Sequence, residues 1–320
     1  MNDPTRQIAR VKPPALRPGD TVGIVAPASN IKRDLLEQGC AVLRQLGYTP
    51  FYLDSIFEQD LYFAGSAARR ARELEEMFER DDIKAIMCAR GGYGTNYLLR
   101  ELDPAKIAGH PKIFVGYSDI TTLLTGFADS ARFVTFHGPM VTKDFAGPDG
   151  VDLVSWRSAL SGIAGWEIVS SPDSGVEGLV DGTAEGILYG GCLSLLVSSL
   201  GTPHEIRTAG TILFLEDVNA KPFQVDRMLM HLKLAGKLEG VKGIVFGEML
   251  DCVQGQDQPY TLQEVVLRIV GELGAPLAFG LRSGHVTRKN ITLPIGVHAS
   301  LRVNGRDVQL KILEAATTPA

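Results

Sequence analysis

The chain has 320 residues, room for about two domains at the usual ~150 residues each and enough to bury a real core, which excludes a disulfide-stapled miniature. Thirty-two Lys and Arg against 37 Asp and Glu give a net charge of −5 with no basic block, so no phosphate-tracking surface is advertised and nucleic acid is not an expected partner. Charged residues at 22% and hydrophobic residues at 45% exclude a disordered chain, and 35 glycines foretell many tight turns.

The opening MNDPTRQIARVKPPA lacks the apolar stretch of a secretory signal or anchor. No later apolar run is long enough to span a bilayer. Cys40, Cys88, Cys192 and Cys252 are scattered singly without a C-x-x-C, the pattern of reduced, buried cysteines in a cytosolic protein; neither a metal site nor a disulfide framework is expected.

In chain order, 20–26 reads as a strand ended by Pro27, and 31–46 as an amphipathic helix ended by Gly47. A charged helix over 70–80, a strand over 83–89, a helix over 94–102, a strand over 112–116 and a helix over 119–128 continue the alternation. That is the signature of an α/β layer built on a parallel sheet, assigned to residues 14–146, with ligand sites beyond the carboxyl ends of the strands. GPDG, SGIAGW and SSPDSG then cluster turn formers, and 147–175 is expected to be a linker. Strands over 176–188, a helix over 192–200, a strand over 211–216, a helix over 222–235, a strand over 241–247, a helix over 261–272 and strands over 291–304 follow. Residues 176–313 are assigned to a mixed α+β domain.

The sharpest local feature is KIFVGYSDITTLL, in which a strand runs through Gly116-Tyr117-Ser118-Asp119 straight into a helix. A tight strand-to-helix turn exposes a serine oxygen, and the helix N-terminus favours developing negative charge. The pattern equally suits Ser118 as a helix N-cap, and Ile120 stands where a G-x-S-x-G elbow has its second glycine. The loop Arg90-Gly91-Gly92-Tyr93-Gly94 lets backbone amides converge, as in an oxyanion hole or phosphate cradle, or is a plain turn; it lacks the ending of a P-loop. Glu216 and Asp217 close an apolar strand, where either could orient a histidine or cap the following helix. Of six histidines, His110, His204, His231 and His298 fit structural surroundings. His137 could line a cleft, and His285, in GLRSGHVTRKN, is the better base.

VGIVAPAS, ARGGYGTNYLL, FVGYSDITTLL, FHGPM, GGCLSLL, LFLEDVNAKPFQVDRMLMHL, GIVFGEM and GHVTRKNITLPIG, in this order over most of 20–300, resemble the LD-carboxypeptidase family of serine peptidases. The resemblance implies a triad falling on Ser118, Glu216 and His285, and an oxyanion hole from the backbone amides of Gly92 and Asp119. It implies no cofactor, a cytoplasmic homodimer, and a murein peptide as substrate, the terminal D-alanine of a tetrapeptide being removed in cell-wall recycling. Arg90 and Arg288 are candidates for holding the substrate carboxylate, or are solvated surface charges. A second branch of the family, the microcin C immunity peptidases, cleaves peptidyl or aminoacyl adenylates and usually carries a longer insertion with an aromatic residue between nucleophile and glutamate. The interval between Ser118 and Glu216 is compact for that insertion, although Trp156 and Trp166 lie in it. From other classes, a non-catalytic peptide or nucleotide binding module would leave Ser118 a mere cap, and a metallohydrolase would need clustered ligands.

Overall fold

The computed structural model describes residues 10–170, 174–253 and 258–319. In chain order the strands are β1 (Thr21–Val25), β2 (Thr49–Phe51), β3 (Ile83–Cys88), β4 (Ile113–Gly116), β5 (Thr135–His137), β6 (Glu167–Val169), β7 (Glu177–Val180), β8 (Gly182–Cys192), β9 (Thr211–Glu216), β10 (Gly243–Gly247), β11 (Leu277–Leu281), β12 (Leu293–Ile295), β13 (His298–Asn304) and β14 (Asp307–Ile312). The α-helices are α1 (Arg33–Gln45), α2 (Ala67–Glu79), α3 (Pro104–Gly109), α4 (Thr121–Gly126), α5 (Leu153–Leu160), α6 (Leu193–Ser198), α7 (Pro222–Leu234) and α8 (Leu262–Val270).

The alternation in the first half produces the parallel sheet it predicts. Strands β1 to β5 run parallel in the order β5-β4-β3-β1-β2, and β12 joins antiparallel at the β5 edge. Apolar runs such as IFVG of β4 are wholly buried, as strands covered on both faces must be. Helix α1 buries Leu36, Gly39, Cys40 and Leu43, the i, i+3, i+4, i+7 stripe of a helix packed on one side. Ser66 caps α2 by accepting the Arg69 N–H at 3.2 Å. The second sheet is mixed, in the order β6-β14-β13-β8-β9-β10-β11-β7, with β8, β9, β10 and β11 parallel at its centre. The protein is thus α/β with two sheets, one nearly all parallel and one mixed.

Three expectations differ in detail. The helix expected over 94–102 is a 3₁₀ helix, Thr95–Arg100, and that over 119–128 is a 3₁₀ turn, then α4, then a π-helical segment Phe127–Ala131. The interval 147–175 is not a bare linker where it is described, because it contains α5 and β6; residues 171–173 of the SSPDSG stretch lie outside the described residues. Asp152 caps α5 through the Ser155 N–H at 2.7 Å, and Trp156, 1% exposed, packs edge-on against Phe145 with ring centroids 5.3 Å apart. The halves are also stitched together: β12 lies within 176–313 but pairs with β5, Leu293 opposite His137. One buried cluster runs from Val22, Val115 and Phe136 to Leu188, Phe214 and Leu301, so both sheets share a core.

Candidate active site

The crevice forms where the carboxyl ends of strands from both sheets converge, as open parallel sheets dictate. A cleft of about 520 Å³ is lined by Arg90, Gly91 and Gly92 after β3, by Tyr117 and Ser118 after β4, by Met140, Thr142 and Lys143 after β5, and by Val218 and His285 from the second half. Ser118 is half-buried and stands at φ +64°, in the left-handed region that a side chain rarely occupies. A strained turn between strand and helix is the geometry of a nucleophile elbow, and such strain persists only where the surroundings over-determine it. Ile120 packs over Gly116, so the strand rather than the helix supplies the glycine of this turn.

The glycine loop after β3 closes over the serine. A Cβ on Gly91 would lie 2.7 Å from Ser118 Cβ, 3.0 Å from its Oγ and 3.4 Å from the Asp119 amide nitrogen, so only glycine leaves that space open. Neither the Gly92 nor the Asp119 N–H has a hydrogen-bond partner among the described residues, which leaves both able to donate into the cleft. The Asp119 side chain is otherwise engaged: Oδ2 accepts the Thr95 N–H at 2.8 Å, and the Thr95 hydroxyl donates to the Asp119 carbonyl at 2.7 Å, tying loop to elbow. Burial pushes the Asp119 carboxyl above its ordinary value.

Glu216, at the end of β9, is fully buried. Its Oε2 accepts the His285 backbone N–H at 3.0 Å and faces His285 Nδ1 at 2.8 Å. Burial alone would raise this carboxyl, but the charge of His285 and the facing ring nitrogens outweigh it and hold it well below the usual range. With Nδ1 committed to Glu216, the other ring nitrogen of His285 has no hydrogen-bond partner among the described residues and can serve the cleft. The loop bearing His285 wraps the carboxylate closely; Gly284, at φ +95°, would put a Cβ 2.6 Å from Glu216 Cδ. Asn290 braces it, accepting the Gly284 N–H at 2.9 Å, donating to the Gly284 carbonyl at 3.0 Å and reaching Asp144 of the other half at 3.3 Å.

The strand end alone leaves Glu216 and Asp217 open, the family resemblance points to Glu216, and the structure gives the two different neighbours. Asp217 accepts the N–H of Ser194 and of Val218, each at 2.8 Å, and so anchors the start of α6. Ser118 and His285 line one cleft but share no hydrogen bond among the described residues, as is common before substrate tightens such contacts. Arg90 is on the cleft, exposed and donating to the Asn30 carbonyl at 3.3 Å. Arg288 is not; it lines a separate cavity with Glu248, because Thr287 is tied to Glu248 by an Oγ1 donor bond of 2.8 Å that draws the chain away. Sequence reasoning missed Lys32 and Lys143, exposed cations on the cleft. It also missed that Cys192 Sγ, Glu216 and His285 offer ligand atoms within 4.8 Å of one another, residues too far apart in sequence to suggest a cluster. The Cys192 thiol is pushed well up by burial and by Glu216 and Asp217, so forming the thiolate a metal needs is disfavoured there.

Residues 22–138 match the LD-carboxypeptidase N-terminal domain and residues 185–301 its C-terminal domain. The chain belongs to the LD-carboxypeptidase family. It is 40% identical to the "Probable murein peptide carboxypeptidase" of Bacillus subtilis (strain 168), over 91% of each chain. It superposes on the muramoyltetrapeptide carboxypeptidase of Oxalobacter formigenes with a TM-score of 0.82 at 31% identity, covering 92% of this chain and 99% of that one. The microcin C7 self-immunity protein MccF of Escherichia coli is 27% identical over 91% of this chain and 93% of its own. The family is thus one of carboxypeptidases and hydrolases of the serine type, and the relatives include both of its branches.

Proposed function

We propose that this LD-carboxypeptidase family member is a murein peptide hydrolase, removing the terminal D-alanine of a tetrapeptide in cell-wall recycling, with Ser118, His285 and Glu216 as its triad. The observation that carries the reading is the strained Ser118 opening, beside an unfilled glycine loop, onto the same cleft as the Glu216-bound imidazole of His285. Ser118 Oγ attacks the carbonyl of the L-centre while His285 takes its proton; the oxyanion meets the Gly92 and Asp119 amides. Glu216 fixes the tautomer and stabilises the imidazolium, which returns the proton to the departing D-alanine nitrogen. Water, deprotonated by the same imidazole, then frees the acyl-enzyme. Arg90, Lys143 and Lys32 supply the positive rim that a free substrate carboxylate requires.

Neither tryptophan between nucleophile and glutamate lines the cleft. Trp156 is buried against Phe145, and Trp166 borders a different cavity beside Glu167. This favours the recycling branch over an adenylate-cleaving one that stacks a base on an aromatic ring. The test compares kcat/KM for L-Ala-γ-D-Glu-diaminopimelate-D-Ala, the matching pentapeptide and a peptidyl-adenylate. D-alanine release from the tetrapeptide, with the pentapeptide nearly inert, is expected; strong preference for the adenylate would move the chain to the immunity branch. Turnover unchanged by EDTA is expected too, whereas loss restored by zinc would support the metallohydrolase. A homodimer in the cytoplasm belongs to the same proposal; among the described residues no helix is long and apolar enough to cross a membrane.

A further inference from the structure

Glu216 has two carboxylate oxygens, and only Oε2 is spoken for by His285. Oε1 is fully buried and makes no hydrogen bond, and 3.7 Å away lies Nε2 of His137, equally buried and equally without a partner. Two unpartnered polar atoms facing each other in a site closed to water are costly unless a proton lies between them. The other side of the ring decides where the protons are. His137 Nδ1 is 3.0 Å from Ser283 Oγ, and that hydroxyl also reaches the Ile291 carbonyl at 2.8 Å. The carbonyl accepts only, and the hydroxyl has one proton. If that proton goes to Ile291, Nδ1 must carry its own; Nε2 then either turns a lone pair on the carboxylate or is protonated as well. If it goes to Nδ1, the neutral ring has its proton on Nε2, but the bare Oγ then opposes the Ile291 carbonyl. A proton on Nε2 is nonetheless the placement that spares the buried carboxylate an opposing lone pair 3.7 Å away. Phe214 and Tyr117 fix the plane of the ring, with centroids 5.0 and 6.0 Å away.

The geometry points to His137 as a positioning residue for the triad: its Nε2 faces Oε1 of Glu216 at 3.7 Å, a polar contact longer than a hydrogen bond, and biases the carboxylate to keep Oε2 on His285. The inference rests on the triad reading above but not on the substrate. His137 spans the two halves, ending β5 of the parallel sheet while Glu216 ends β9 and Ser283 follows β11 of the mixed one, so it links the Glu216–His285 pair to the half that carries Ser118.

The test uses the rate at which the whole protein takes a fluorophosphonate on Ser118, which needs the triad and no murein substrate. In His137→Gln the side-chain amide reaches about where Nε2 does and keeps a donor on Glu216; in His137→Asn it reaches only the Nδ1 position and keeps the Ser283 contact alone. His137→Asn is expected to label about 10- to 100-fold more slowly than wild type, the usual cost of losing a group that orients a catalytic ligand, with His137→Gln recovering most of the rate. A merely structural histidine predicts that the two variants behave alike, so equal rates in them overturn the inference, as does wild-type speed in His137→Asn. If wild type takes label while only the tetrapeptide assay fails, the substrate reading falls and this one stands; if wild type takes none and Ser118→Ala matches it, the triad and this inference fall together.

Discussion

Ser118 follows β4 and Glu216 ends β9, one strand from each sheet, and the chain holds them by opposite means. Around Ser118 the backbone does the holding: a left-handed φ at the serine itself and a glycine loop whose missing side chains leave room for the reacting atoms. Around Glu216 the side chains do it, with His285 on one oxygen, His137 facing the other, and Asn290 and Ser283 bracing both loops. A site held by backbone strain tolerates loss of its side chain, because the strain belongs to the turn. A site held by a desolvated charge network does not, because every member satisfies another.

The sharpest way to break this contrast is to truncate each centre and read activity and melting together. Ser118→Ala and Glu216→Gln are each expected to lower kcat on the order of 10³-fold or more, as members of one triad. Their stabilities should part. Ser118→Ala keeps the wild-type melting temperature, and Ser118→Gly, which relieves the left-handed φ, gains on the order of 0.5–1 kcal/mol. Glu216→Gln turns an amide N–H toward one of two histidine donors and loses about 1–3 kcal/mol. If Ser118→Ala melted as low as Glu216→Gln, the division between strain and network would be wrong.

A smaller effect on activity is expected at Gly91. Gly91→Ala would crowd Ser118 Cβ, its Oγ and the Asp119 amide, and kcat should fall on the order of 10²-fold, as when an oxyanion donor is lost, with about 1–3 kcal/mol of stability lost to the overpacking. Asp217→Asn separates the neighbouring carboxylates. One of its two N–H partners would face an amide N–H, costing about 0.5–1.5 kcal/mol, while activity stays within about tenfold of wild type. The reverse pattern, a crippled enzyme of normal stability, would mean that Asp217 rather than Glu216 serves the imidazole.

The same contrast explains what was legible in the sequence. The elbow is local: strand, turn and helix are contiguous, so KIFVGYSDITTLL displays its own geometry, and the three glycines of RGGYG announce a loop that lets backbone come close. The network around Glu216 is non-local. That Glu216 ends a strand is readable, but its choice over Asp217 depends on His285 and His137, brought in by loops far along the chain. From sequence His137 is one more cleft histidine, because nothing near FHGPM says that a carboxylate from the other sheet lies against it. Strand β12 falls within the strands expected over 291–304, but its sheet is not readable for the same reason: LPI is short, and only its pairing with β5 makes it part of the first sheet. Turn formers mark the edges of short elements as readily as gaps between domains, and the Asp152 cap ahead of Trp156 is the signal for the buried helix inside 147–175.

The smallest effect concerns an ionisable group on the strain-held side whose surroundings disfavour its charge, the reverse of Glu216. Lys112 leads into β4, and its ammonium donates to the carbonyls of Met77, at 3.1 Å, and Arg80. Burial, with the like charge of Lys84, lowers its pKa from 10.5 to about 8. Between those values the unfolded chain keeps a proton that the folded chain has released, so unfolding takes up a proton and stability rises with pH. The stabilising contribution is complete above 10.5 and is lost as pH falls through 8, where both states are charged and the folded state bears the desolvation cost. Lys112→Met removes the linkage. The difference in unfolding free energy between wild type and Lys112→Met, followed by denaturant titration from pH 7 to 10.5, should therefore shift steadily in favour of wild type. A flat difference would mean that the two carbonyls satisfy the ammonium fully, and that the first sheet, like the second, can hold a charge by its partners rather than merely endure it.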